Sequence, residues 1–121
     1  MTHSTGKLTT HVLDTAQGRP AAGMTIELWG IDGAERILLV TTVTNTDGRT
    51  DTPMRAEGQL QAQAYELVFH VGDYFRQQTL SLPQRLFLDR IPIRFGIDDP
   101  HSHYHVPLLV SPWAYSTYRG S

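Results

Sequence analysis

The sequence has no cysteine at all, so it contains no disulfide framework and no thiolate nucleophile. It has little net charge, −2 with histidine neutral, which gives no electrostatic footprint for nucleic acid or an anionic membrane surface. It lacks any apolar run of membrane-spanning length. The opening stretch MTHSTGKLTT is polar and has no apolar leader core. It also lacks internal repeats, low-complexity tracts and linkers. These absences lead us to expect a soluble, cytoplasmic protein that uses neither nucleic acid nor membrane. A chain of 121 residues is long enough to bury one sizeable core without metal or disulfide help. We read it as one domain over residues 1–121, with residues 1–6 a flexible lead.

The remaining sequence is built from short period-two segments cut by Gly, Pro and Asx turns, the pattern of an all-β chain. In TIELWGI, Ile26, Leu28 and Gly30 share one face, opposite Thr25, Glu27 and Trp29. In ELVFHV, Leu67, Phe69 and Val71 alternate with Glu66, Val68 and His70. In RIPIRFGI, Ile91, Ile93, Phe95 and Ile97 form a face, and Pro92 marks an edge or irregular position. RILLVTTVTN is β-branched and apolar on both faces, as expected for a strand in a packed sheet. TDGR (Thr46 to Arg49) is turn chemistry, GRPAAG is another turn, and DDP a third. Only GDYFRQQTLS suggests a helical turn or two. Seven or eight short strands in a chain of this size predict a sandwich.

Six histidines stand out, three of them in HSHYH: His101, His103 and His105. Period-two spacing puts all three on one face if the strand begins that early, with Tyr104, Val106, Leu108 and Val110 on the core face. In KLTTHVLD, His11 lies with Thr9 and Leu13, opposite Leu8, Thr10 and Val12. Two strands thus turn a histidine away from the core. The ordinary reading of such a residue is a surface histidine. A metal site is the other plain reading, since alternate strand positions can present two imidazoles to one ion. No Cys, Asp or Glu stands close in sequence to complete such a set. Taken singly, Arg49 reads as a solvated loop arginine, and Trp113, Tyr115 and Tyr118 read as strand packing.

Taken together, LTTHVLDT, TNTDGRT and HYHVPLLVSPWAYSTYRGS closely resemble the transthyretin-like 5-hydroxyisourate hydrolases, from Lys7 to Ser121. The terminal tetrapeptide YRGS (Tyr118 to Ser121) is that family's hallmark; hormone-carrying transthyretins share the fold and lack it. Ala114 in SPWAY stands where glycine is common in the family. The resemblance implies a transthyretin-like sandwich of two four-stranded sheets with one short helix. It also implies dimers built by edge-strand pairing, a homotetramer made of two such dimers, and an active site in the channel between them.

By the same resemblance, His11, Arg49, His105, Tyr118 and Ser121 line the pocket. The implied reaction is hydrolysis of 5-hydroxyisourate, a product of urate oxidation in purine breakdown, to 2-oxo-4-hydroxy-4-carboxy-5-ureidoimidazoline. His105 is assigned as base and His11 as the residue that positions substrate or water, with the reverse assignment open. Arg49, Tyr118 and Ser121 contact the ring. The scheme needs no metal or cofactor. Two alternatives stand beside it: a zinc hydrolase using His11, His103 and His105, and a non-catalytic carrier of transthyretin type.

Overall fold

In the computed structural model, which describes residues 5–78 and 81–120, strand β1 (Leu8–Asp14) alternates strictly. Leu8, Thr10, Val12 and Asp14 are buried, while Thr9, His11 and Leu13 look out of the other face. Residues 1–4 of the lead lie outside the described residues; at its end, the Gly6 N–H donates to the Pro100 carbonyl at 2.9 Å. Further strands follow in order: β2 (Arg19–Pro20), β3 (Thr25–Asp32), β4 (Glu35–Val43), β5 (Ala64–His70), β6 (Arg90–Gly96), β7 (Tyr104–Val110) and β8 (Tyr115–Thr117). The helix expected near GDYFRQQTLS is α1 (Val71–Arg76).

Two four-stranded sheets result, in the orders β2-β1-β7-β8 and β4-β3-β5-β6. The second is antiparallel throughout. In the first, β1 and β7 run parallel, from Leu8 opposite Tyr104 to Asp14 opposite Val110. The Thr10 hydroxyl, buried on the core face, donates to the Val106 carbonyl at 2.7 Å and so satisfies itself within that pair. Leu8, Val12, Leu108 and Val110 meet Ile26, Leu28, Leu67, Phe69 and Ile91 between the sheets, with Phe75 of α1 at the margin. Each fully buried apolar side chain contributes about 1.5–3 kcal/mol. The faces read from TIELWGI and from Tyr104 to Val110 are the observed core faces. Pro92 sits on β6, an edge strand that tolerates the missing donor.

Three expectations change. RILLVTTVTN does form a strand of a packed sheet, β4, but at its edge, so its apolar faces are not both covered: Ile37, Leu38 and Val43 are respectively 55%, 48% and 53% exposed. Apolar content on both faces predicts packing, but it cannot say how many neighbours a strand has. Second, β7 begins only at Tyr104, so the three histidines of HSHYH do not share a strand face. His101 belongs to the preceding turn, where the Asp99 carboxylate accepts from the His101 N–H and the Ser102 hydroxyl. Third, Tyr118, read singly as strand packing, lies past the last strand, which stops at Thr117 and is followed by an isolated bridge between Gly120 and His105.

Candidate active site

The turn that carries Arg49 is clamped by one side chain. The Asn45 amide oxygen accepts from the backbone N–H groups of Asp47 (2.9 Å) and Arg49 (3.2 Å). Gly48 takes φ +75°, and a Cβ there would sit 2.3 Å from the Val12 carbonyl, so both conformation and space demand glycine. Val12 N–H donates to the Gly48 carbonyl at 2.8 Å, which docks the turn on β1. Arg49 is thereby bridged to His11. Parallel pairing places Thr9 directly opposite His105.

Thr9, Arg49, Thr50, Asp51, His103 and His105 line one cavity of about 430 Å³. His105 is half-buried on its wall. Its Nδ1 lies 2.8 Å from the Thr9 hydroxyl. Burial, first, and then the positive charges of Arg49, His11 and His103 hold its pKa below the ordinary imidazole value. His105 is therefore neutral at neutral pH, the form a proton acceptor needs. His11 stands two residues along β1 from Thr9 and is not among the residues that line the cavity. Its Nε2–H donates to the Asp47 carbonyl at 2.8 Å, which commits that nitrogen to carrying a proton. Among the described residues each histidine keeps one ring nitrogen without a hydrogen-bond partner, Nε2 of His105 and Nδ1 of His11, but of the two only His105 lines the cavity.

Not every candidate converges. Tyr118, 60% exposed, lines a different cleft, with Arg94, Phe95 and Arg119, between edge strands β6 and β8. Ser121 lies outside the described residues. Among the described residues, no three of His, Cys, Asp and Glu gather as a metal-holding set. The zinc grouping of His11, His103 and His105 is thus not assembled: His103 and His105 share the cavity, while His11 spends Nε2 on Asp47. Sequence reasoning passed over Thr9 and Gly120. Thr9 was legible on the same face as His11. The Gly120 N–H donates to the His105 carbonyl at 2.7 Å, and a Cβ on Gly120 would lie 2.8 Å from His105 Cδ2.

Residues 8–120 match the model of the HIUase/Transthyretin family. The chain belongs to this family. It is 57% identical over 116 residues to 5-hydroxyisourate hydrolase 2 of Rhizobium meliloti (strain 1021), covering 96% of this chain and 97% of that protein. The crystal structure of an (S)-allantoin synthase superposes with TM-score 0.92 and 47% identity over 98% of this chain, which spans 45% of that longer one. The Klebsiella pneumoniae 5-hydroxyisourate hydrolase superposes with TM-score 0.76 and 34% identity, over 96% of this chain and 99% of that one. No helix among the described residues is long and apolar enough to cross a membrane.

One pH dependence follows from this family's fold as realised here. If neutral His105 is the active form, lowering the pH inactivates by protonating it. Because its pKa is lowered, the acid limb of the rate profile falls below about pH 6.5, the value of a free imidazole. A kcat/KM profile with its limb at or above that value would contradict the depressed pKa.

Proposed function

We propose that this protein hydrolyses 5-hydroxyisourate, opening its six-membered ring by His-assisted attack of water. The observation that carries the reading is a neutral, half-buried His105 sharing one cavity with Arg49. The names borne by relatives of the same length supply the substrate.

Ring opening needs a water deprotonated, a developing oxyanion stabilised and a flat, oxygen-rich ring held. His105 accepts the water proton at Nε2 as oxygen bonds to the amide carbonyl carbon. The Arg49 guanidinium, a planar fork with a fixed charge, stabilises the tetrahedral oxyanion. Collapse breaks the ring C–N bond, and the proton held on His105 passes to the leaving nitrogen. This leaves a carboxylic acid, which releases its proton to solvent and becomes a carboxylate, and a free ureido nitrogen, so atoms and charge balance. His11, tied to Asp47, positions water or substrate. Tyr118 stacks on or hydrogen-bonds the ring, and Ser121 hydrogen-bonds ring or water. Ring opening of hydroxyisourate generated in place by urate oxidase tests the reading: a rate unchanged by this protein would refute it and favour a carrier.

The reading includes a homotetramer, a dimer of dimers acting in the cytoplasm. Two features support assembly. Tyr118 and the Arg49–His105 cavity occupy separate clefts of one subunit. The edge strands β6 and β8 both border the Tyr118 cleft and, among the described residues, have unpaired outer sides. A monomeric mass by light scattering, together with full activity, would overturn the tetramer, and cell fractionation tests the compartment.

A further inference from the structure

We propose that the Thr9 hydroxyl is a positioning group for His105: it accepts a hydrogen bond from Nδ1–H and so holds the imidazole in the tautomer whose Nε2 lone pair is free. The inference rests on the hydrolase reading above for its functional meaning, though not for its geometry.

Three observations carry it. The first is the 2.8 Å separation between Thr9 Oγ1 and His105 Nδ1, a full-strength hydrogen bond that joins neighbouring strands 96 residues apart in sequence. The second is that backbone register sets this contact. Thr9 and His105 are direct partners in the parallel β1–β7 pair, and Thr9 is β-branched, with few χ1 choices. The third is the ring's other neighbour. Gly120 packs so close that a Cβ there would lie 2.8 Å from Cδ2 and 3.3 Å from Cγ. The ring is held between a hydroxyl and a bare Cα, and among the described residues its Nε2 has no hydrogen-bond partner.

A threonine hydroxyl has one proton and two lone pairs. His103 Nε2 lies 3.5 Å from the same oxygen, at the outer limit of a hydrogen bond, and in neutral His103 with its proton on Nδ1 it offers the hydroxyl proton a direction away from His105. With the proton turned there, the lone pairs of Oγ1 face Nδ1–H. The opposite arrangement, with Thr9 donating to Nδ1, would put the ring proton on Nε2 and make neutral His105 unable to accept from water. Thr9 lines the same cavity, and the role assigned to it is exercised through His105.

Nitrogen-15 NMR of the histidine-labelled full-length protein, at a pH where His105 is neutral, reads the tautomer directly. We expect Nδ1 protonated and Nε2 bare. In Thr9→Val, which keeps the side-chain shape and removes the acceptor, the population shifts towards Nε2–H. There kcat falls about ten- to a hundredfold, the scale on which a metal-bound imidazole suffers when the partner of its second nitrogen is removed. KM moves less than about twofold, because substrate contacts persist. Thr9→Ser restores the hydroxyl and brings kcat back to within about threefold of the parent. An Nε2–H tautomer in the parent overturns the proposal, as does a Thr9→Val protein with the parent's kcat. If the hydrolase reading itself failed, the parent would show no ring opening, and the nitrogen spectrum of the parent alone would still decide what Thr9 does to His105.

Discussion

Replacing His105 by asparagine is expected to cut ring opening about a hundredfold or more while the protein folds and assembles as before. The size of the effect follows from what asparagine keeps and loses. Its amide reaches roughly where Nδ1 stands and can still meet the Thr9 hydroxyl, so the β1–β7 contact survives. It has no group that exchanges a proton near neutral pH, so the water loses its base. Stability should change little. His105 is half-buried on the outer face of β7, whereas the core is made by the residues on either side of it, Tyr104 and Val106. Circular dichroism and light scattering establish that fold and assembly are intact, and the urate-oxidase-coupled assay reads the rate. A variant that opens the ring at near the parent's rate would end the assignment of His105 as base.

The second large effect is expected from the smallest change, Gly120→Ala. The φ of Gly120 is not positive, so alanine meets no backbone penalty there. The obstacle is the imidazole. The added methyl would lie 2.8 Å from Cδ2 and 3.3 Å from both Cβ and Cγ of His105, and at the shortest of these something must move. Either the ring turns, breaking its 2.8 Å contact with Thr9, or the chain end lifts and gives up the 2.7 Å bond from Gly120 N–H to the His105 carbonyl. Both responses misplace the base by an appreciable fraction of an ångström or more, and misplacement by about 1 Å can cost a hundredfold in rate. We expect kcat to fall at least about tenfold with the thermal midpoint almost unchanged, since no core residue is touched. Calorimetry and the coupled assay check the two halves, and an alanine variant with the parent's kcat would show that the ring does not need this wall.

Some of this site was readable in the sequence, because period-two alternation reports which face a residue takes. That is how His11 and Thr9 separate from Leu8, Thr10 and Val12, and His105 from Tyr104 and Val106. The Asp47-Gly48 pair announces a turn by its backbone chemistry, and Arg49 follows directly. Partners across the sheet were not readable. Nothing local to LTTHVLD says that Thr9 will lie opposite His105, and nothing in RILLVTTV says that it has a neighbour on one side only. Alternation also carries no start point, which is why His101 was grouped with His103 and His105. The direction of Tyr118 was lost for a related reason: Arg119 turns to cover the Tyr104 ring, 4.2 Å from its centre, and strand periodicity no longer applies.

The parallel pairing of β1 with β7 has a consequence for how the protein is made. On the ribosome β1 is synthesised early and β7 late, with Thr9 and His105 separated by 96 positions. Until the late segment emerges, β1 can pair, among the described residues, with the two-residue β2 and with the bridging residues Arg49 and Arg55 on that same side. The backbone groups on its β7 side must wait through most of translation, a state that invites mispairing and chaperone binding. Closing so long a loop is entropically slow and makes sheet completion a late step. The base, its hydroxyl partner and the glycine beside it come together in that same step. A nascent chain arrested before residue 104 is therefore both inert and adhesive, and competence arrives with the last strands.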